Sequence, residues 1–593
     1  MKLYQLLLLL LFTGTIYSCS PKTHPTASAK KMQPAANPDS IRPVAPAQGN
    51  PKQKIRRGYW KPDEVSLQIS LEDFFKTHEA GYIFTADTVD FPVWTAMINL
   101  YQARNYQGIW PDEKKIRQMV VLVRTAEYDG LTPDDYHPDA IEAFLKKIKK
   151  DTSSQNQLQI ELLATASLMR YCRDMWSGKV YPKAVFPEWN YQTRALSPED
   201  TVAWEHLLTS DFDTLAAYLR PHTEMYEELR ADYLHLDELE KAGEEWPRIE
   251  YPGKDLKAGD TSTVLLSIKQ RLYNMGLLLR EPTDSIFDLT LRLALVDFQV
   301  NQGLPTTGLL DKKTIARLNF TLKEVKDIVR VNMERCRWLE PSSPEEYLLV
   351  NITGYELHYI KGKKIDFSTR IVVGNEEHRT KIFHANLVNV EFNPYWTVTR
   401  NIATEEILPI LKRDPSYLDR NDMVLWRGEE IVDPYTLDFA MYSKDNFPFV
   451  VKQSPGYKNA LGVVKFNMPN PYSIYMHDTP SKGDFEKNGR AFSHGCIRVY
   501  KPLDLAEYLL KKQGFSREQI ETMVIKGDNV VIGLQKKVPV MITYWTYYKD
   551  IYSGKTVFYR DIYGRDQLVL NELNKKVTLK KNPLQTPKSN LVN

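Results

Sequence analysis

The sequence predicts an α+β chain of several domains: a helical scaffold, then a small three-helix unit, then a β-rich C-terminal domain. Three observations predict it. From about Leu67 to Glu240, apolar residues recur at three- and four-residue intervals, as in "VWTAMINLYQARNYQGIW". The same periodicity returns in a separate short block, 262–319. After about residue 345 the period falls to two, around turns at Gly354 and Gly362, which reads as β-hairpins. A chain of 593 residues has room for such a set of cores.

The N-terminus comes first. Met1-Lys2 is followed by the run Leu6 to Leu11 and then small residues up to Ser18-Cys19. An apolar stretch of fewer than about 15 residues behind a charged start reads as a secretory signal, too short to span a bilayer. Ser18-Cys19 resembles a bacterial lipoprotein cleavage site, which implies that residues 1–19 are the signal and that Cys19 becomes a lipidated N-terminus anchored to a membrane. Residues 20–57 hold seven prolines and no apolar periodicity, and read as a disordered tether. A flexible coil of that length spans roughly 35 Å on average.

The helical scaffold follows over 58–250; it shows no catalytic cluster. In 258–322, Gly303 reads as a helix C-cap and Asp311 as the N-cap of "KKTIARLN". Phe298, Gln299, Gly303, Leu304, Gly308, Thr314, Leu318 and Asn319 together resemble the three-helix peptidoglycan-binding domain. A linking helix over 323–344 leads to the β-rich domain, 345–537. A β extension is expected over 538–573 and a frayed basic tail over 574–593.

Composition excludes some functions. Net charge is +3 with 26% charged residues, which lacks the concentrated basic face of a nucleic-acid binder. With Cys19 acylated, Cys172, Cys336 and Cys496 remain, an odd number for an exported protein. Cys172 and Cys336 lie in helix-like contexts and read as buried, inert thiols.

Cys496 is different. It sits in "AFSHGCIRVY", and His477 closes the strand-like "YSIYM" upstream. A strand–loop–strand can bring His477 opposite Cys496. An imidazole beside a thiol makes the reactive thiolate available and can later protonate a leaving amine. Gly495 lets backbone approach a substrate, and the amides of Gly495 and Cys496 can face an oxyanion. A zinc site built from His477, His494 and Cys496 is disfavoured, because no fourth ligand appears at zinc-like spacing. Trp396, Tyr475 and Trp545 are candidate cleft aromatics, with a plain core role as the alternative, while Lys465 and Arg490 flank the motif either as candidates to meet substrate carboxylates or as solvated surface charge. Asn459 and Gly462 read as shaping the loop behind the site.

This stretch closely resembles the YkuD-type L,D-transpeptidase motif, a His followed at 14 to 17 residues by Ser/Thr-His-Gly-Cys. Here 15 residues separate His477 from Ser493. "EFNPYWTVTRNIA", "QSPGYKNALGVVKF" and "YWTYYKDIYSGKTVFYRDIYG" extend the likeness to the large periplasmic members of that family. The resemblance implies Cys496 as nucleophile and His477 as base, oriented by a backbone carbonyl just after it. It implies positioning roles around them for Ser493, His494, Gly495 and Asp478, and a capping insert at about 401–456; Arg498 stands where many members carry asparagine and is a candidate to hold a carboxylate, its role left open. It implies peptidoglycan stem peptides as donor and acceptor, 3→3 cross-linking, carbapenem-type β-lactams as covalent inhibitors, and no metal or organic cofactor. An L,D-carboxypeptidase using water, and a non-catalytic wall-binding scaffold, are the alternatives. Thr399, where members usually carry proline, and Cys336, where they carry a bulkier apolar residue, depart from the pattern.

Overall fold

The computed structural model describes residues 60–77, 93–339, 344–550 and 554–579. The signal segment, Cys19 and the tether lie outside the described residues. No described helix is long and apolar enough to cross a membrane.

The helical region is organised around Ser154–Ser177, a 24-residue helix buried on nearly every side. A helix buried all round must sit inside a bundle, and its polar side chains must find partners there. Here Glu64–Thr77, Val93–Ala103, Glu113–Arg124 and Pro138–Ile148 surround it in one core. Behind them Glu224–Lys241 packs along Leu322–Trp338, whose start is fixed by a Thr321/Glu324 capping box. Asp129 joins these parts: its buried carboxylate takes both arms of Arg220 (2.9 and 3.0 Å) and the Tyr226 hydroxyl (3.0 Å).

The small unit consists of Thr263–Asn274, Leu289–Asn301 and Lys312–Leu318. Gly303 has φ +69, the left-handed cap its position requires. Asp311 accepts from the Thr314 amide at 2.7 Å, as its N-cap reading predicts. Gln299, fully buried, bonds Thr307, Leu309 and Thr314, tying the second helix to the third.

The C-terminal domain is a closed sheet. Its strands are β1 (Glu346–Asn351), β2 (Glu356–Lys361), β3 (Lys364–Gly374), β4 (His384–Phe392), β9 (Val464–Asn467), β10 (Met476–His477), β11 (Ala491–Ser493), β12 (Ile497–Val499) and β13 (Val530–Thr543). The order is β11-β3-β12-β10-β9-β4-β13-β1-β2, and β2 also pairs with β3, which closes a barrel. Leu348, Val350, Phe466, Met476, Ile497 and Val540 fill the inside. Because side chains alternate along a strand, their neighbours Lys465, His477 and Arg498 point outward. Between β4 and β9, an insert forms its own four-stranded sheet from β5 (Trp396–Thr397), β6 (Met423–Arg427), β7 (Glu430–Val432) and β8 (Val450–Gln453), with its own core.

Two expectations at the C-terminus need correction. The stretch 538–573 is not a separate β extension. Val538–Thr543 completes β13, whose polar Gln535-Lys536-Lys537 falls in a register shift between Gly533 and Val538 and so mimics a domain end. After the hairpin β14 (Tyr547–Lys549) and β15 (Thr556–Phe558), Arg565–Leu573 is a helix, with Val569 and Leu573 one turn apart on its buried face. The tail is not frayed at its start. Val577 is buried in the helical core and its amide donates to Asp135 at 3.0 Å. Residues 580–593 lie outside the described residues.

Candidate active site

His477 and Cys496 come together through register. β10 runs parallel to β12 with His477 beside Arg498, and antiparallel to β9 with His477 beside Lys465. Lys465 in turn pairs with Glu391. Glu391, Lys465, His477 and Arg498 thus form one row across the outer face. Cys496 stands two residues before Arg498, on that same face. Strands about 4.8 Å apart, offset by two residues of about 3.3 Å, put the two Cα atoms roughly 8 Å apart, a gap an imidazole and a thiol can bridge.

The imidazole is buried and its tautomer is fixed. His477 Nδ1–H donates to the carbonyl of Asp478, which can only accept, so Nε2 carries the free lone pair. Burial, then the neighbouring positive charges of Arg498 and Lys465, push the His477 pKa down to about 3. Burial pushes the Cys496 thiol up to about 11, opposed by the Tyr475 N–H and hydroxyl. The resting pair is therefore neutral, thiol and imidazole. The thiol donates to the Ser473 carbonyl at 3.7 Å, and Ser473 holds the left-handed φ of +55.

The loop around the pair is stapled by side chains. Ser493 Oγ donates to the Cys496 carbonyl at 2.5 Å and accepts the Gly495 N–H at 3.1 Å. That spends the Gly495 amide, correcting the expectation that it faces an oxyanion. Gly495 has φ +108 and its carbonyl accepts from Thr380 Oγ1 at 2.9 Å. Asp478 acts through its backbone carbonyl. Its carboxylate is taken by the Val463 amide (3.0 Å) and by Lys482, so it is a loop anchor rather than a substrate ligand.

Gly462 lies against that anchor, since a Cβ there would sit 2.3 Å from Asp478 Oδ2. Asn459 bonds the Pro394 carbonyl (2.9 Å) and the Leu461 amide (2.8 Å) behind the site.

The cleft candidates separate: Trp545 is buried in the core beneath the three-helix unit, away from Cys496. Tyr475 and Trp396 are half-buried, with the Tyr475 hydroxyl between Trp396 and Cys496. Lys465 lies over the Tyr475 ring at 4.8 Å and 3.6 Å from Glu391. Arg498 pairs with Asp484 at 3.1 Å. Arg490 does not belong to the cleft. It is buried, and its guanidinium is spent on the carbonyls of Ile371 (3.1 Å), Lys487 (3.1 Å) and Tyr355 (3.2 Å).

His494 is exposed and turned toward the insert. Its Nε2 lies 2.7 Å from Glu406, and its ring stacks on His378 at 4.7 Å. Nothing in the sequence pointed to Glu406 or His378, since they lie 88 and 116 residues upstream and share no spacing with the motif. Among the described residues no three His, Cys, Asp or Glu side chains cluster as metal ligands. Cys172 and Cys336 are buried free thiols, and burial pushes Cys336 up to about 12.

A cysteine and a histidine in register on a β-barrel, joined to a helical region and a three-helix unit, give the arrangement that a thiol acyl-transfer site requires. Comparisons with known proteins agree with that arrangement. Residues 345–532 match the L,D-transpeptidase catalytic domain (YkuD), residues 95–232 match a scaffold domain, and residues 263–318 match the "Putative peptidoglycan binding domain". The chain carries the YkuD catalytic domain of the L,D-transpeptidases, in an α+β multidomain arrangement.

A Haemophilus influenzae protein named "Putative L,D-transpeptidase" is 37% identical over 230 residues, 38% of this chain and 46% of that protein. The chain therefore spans less than half the length of that curated relative. Two solved structures are similar: the L,D-transpeptidase of Xylanimonas cellulosilytica (12% identity, 50% of this chain and 100% of that one, TM-score 0.17) and that of Stackebrandtia nassauensis (12%, 50% and 97%, TM-score 0.21).

Proposed function

We propose that the chain is a cysteine-dependent L,D-transpeptidase that joins peptidoglycan stem peptides by 3→3 links. The observation that carries this reading is the parallel pairing of His477 with Arg498, which sets Cys496 on the imidazole's face of the sheet.

Cys496 Sγ attacks the carbonyl of the third, diamino-acid residue of a tetrapeptide stem while its proton passes to His477 Nε2. The oxyanion meets the Cys496 N–H, because the Gly495 N–H is already engaged. The C–N bond then breaks and His477 returns the proton to the departing terminal D-alanine. A side-chain amine of a neighbouring stem attacks the thioester, loses its proton to His477, and the thiol leaves reprotonated.

Arg498 and Lys465 flank the reacting pair and attract the stem's carboxylates. Trp396 and Tyr475 wall the donor. His494 positions substrate from the insert's side. Cys19 carries a lipid, so the enzyme faces the periplasm from a bacterial membrane through the tether. Carbapenems acylate Cys496 as donor mimics.

Intact mass spectrometry after carbapenem treatment tests the nucleophile: a single adduct on the wild type and none on Cys496→Ala. Release of D-alanine by Cys496→Ala overturns the reading. Products of tetrapeptide muropeptides decide the acceptor, dimers for a second stem and tripeptides alone for water.

A further inference from the structure

We infer that a cavity on the far side of the barrel from Cys496 is a second substrate site, which takes the neutral glycan backbone of peptidoglycan, an oligomer of N-acetylated amino sugars. This rests on the cell-wall function proposed above.

The cavity holds about 550 Å3, within the range of small-ligand sites. All three regions of the protein build it. Met225 lies at the start of helix Glu224–Lys241, and Asn301 ends the second helix of the three-helix unit. Leu349, His358 and Met541 come from the outer faces of β1, β2 and β13, and Tyr548 comes from β14. Around the closed barrel, β1 is four strand steps from β10 in either direction, through β9, β4 and β13 or through β12, β3 and β2. The cavity and the reacting pair therefore occupy opposite sides, and one ligand cannot serve both by filling a single cleft.

Its chemistry selects the ligand. Four carboxylates line it, those of Glu224, Asp297, Glu356 and Asp550, against the ammonium groups of Lys549 and Lys555. Those two cations are already held, Lys549 by Glu228 and Lys555 by Asp297, each at 2.9 Å. His358 is engaged by Glu356 (3.2 Å) and Ser368 (2.9 Å). A lining with excess negative charge repels stem carboxylates and phosphates, the groups that Arg498 and Lys465 attract on the opposite face.

What it accepts is a neutral ligand rich in O–H and N–H donors, and carboxylates are acceptor-only when ionised. Tyr347, Trp545, Tyr548 and Tyr559 add aromatic walls that suit the apolar C–H faces of sugar rings. The glycan strand carries those two features together. Holding it there raises the local concentration of its stems around the enzyme without occupying the reaction cleft.

The test is calorimetric titration of the full chain with chitohexaose, a neutral oligomer of N-acetylglucosamine. Wild type and Cys496→Ala are expected to bind it equally. Met225→Trp, which fills the cavity, and Glu356→Gln, which removes a carboxylate, are each expected to weaken it tenfold or more while carbapenem still acylates Cys496.

Hydrogen exchange on the wild type supplies an arm free of variants, with protection expected in Tyr547–Lys549 and Thr556–Phe558 on adding the oligomer. Absence of binding, binding unchanged in both variants, or protection confined to other segments overturns the inference. Failure of the catalytic reading shows separately, as loss of Cys496 acylation or of D-alanine release in the wild type.

Discussion

Replacing Gly462 by alanine should disable His477 without touching it. Gly462 has φ +61, and an added Cβ would lie 2.3 Å from Asp478 Oδ2 and 2.6 Å from Asp478 Cβ. Ordinary carbon contacts start near 3.5 Å, so Asp478 must retreat by roughly 1 Å. Asp478 is the residue whose carbonyl receives His477 Nδ1–H, so the imidazole moves with it. Misplacing a reacting group by about 1 Å costs roughly 10²-fold in rate.

Stability should fall by about 2 kcal/mol, one part from alanine in left-handed backbone and one from the strained Val463–Asp478 bond. Gly428 is the control, because its φ is +62 and nothing lies within 4 Å of its Cβ position. Gly428→Ala carries the backbone cost alone, about 1 kcal/mol, and should leave acylation unchanged. The assay is carbapenem acylation of Cys496 followed by intact mass, beside urea denaturation of both variants. A folded Gly462→Ala protein that acylates within threefold of Gly428→Ala would refute the claim that the Asp478 carbonyl sets the imidazole.

Other outcomes follow from the same contacts. With the thiol near 11 and the imidazole near 3, acylation should be nearly flat from pH 5 to 9; a limb centred between pH 5 and 8 that survives His494→Gln sinks the neutral pair. The same burial makes acid destabilising. His477 and His137, pushed down to about 3 and about 4, bind protons in the unfolded chain first, so stability falls as pH drops below about 6.5. His477→Gln should flatten that slope in pH-dependent denaturation. Glu406→Gln weakens an exposed pair with His494, worth at most about 1 kcal/mol, so acylation should change by no more than about fivefold with no loss of melting temperature. Glu334→Gln removes the charge that pairs with buried Arg337 and leaves one acceptor oxygen where two served Arg337 and the Val180 amide; unfolding should cost about 3 kcal/mol less.

Much of this was legible because periodicity and caps are local. The change from a period of three or four to a period of two marks the passage from helices to barrel, and Asp311 and Gly303 act as their positions in the sequence predict. That His477 and Cys496 meet on one face was legible because the 15 residues between His477 and Ser493 must close two neighbouring strands. What stayed hidden depends on where a side chain's hydrogen bonds go. Arg490 and Arg498 look alike beside the motif, yet one donates to three backbone carbonyls and the other faces Asp484 along the reacting row. Glu406 reaches His494 only after the insert has folded on its own core, and His378 reaches it from the loop between β3 and β4. Val577 was hidden for the same reason, since its partner Asp135 lies 442 residues away.

The row on the outer face also explains why the barrel, rather than the loop, controls the chemistry. Inside the barrel, Met476 and Ile497 are fully buried in the core, so β10 and β12 cannot slip by one residue without turning His477 and Arg498 into the barrel instead. Register therefore fixes His477, while Ser493 and the Asp478 carboxylate fix the loop that carries Cys496. The two cations beside His477 oppose its protonation, and each is neutralised by its own carboxylate, Lys465 by Glu391 and Arg498 by Asp484. A substrate carboxylate that draws either cation away weakens that opposition at the moment the imidazole must accept a proton. If the proposed donor stem draws on these cations, the imidazole gains proton affinity on binding, so the proposed reaction couples binding and proton transfer through the same two side chains.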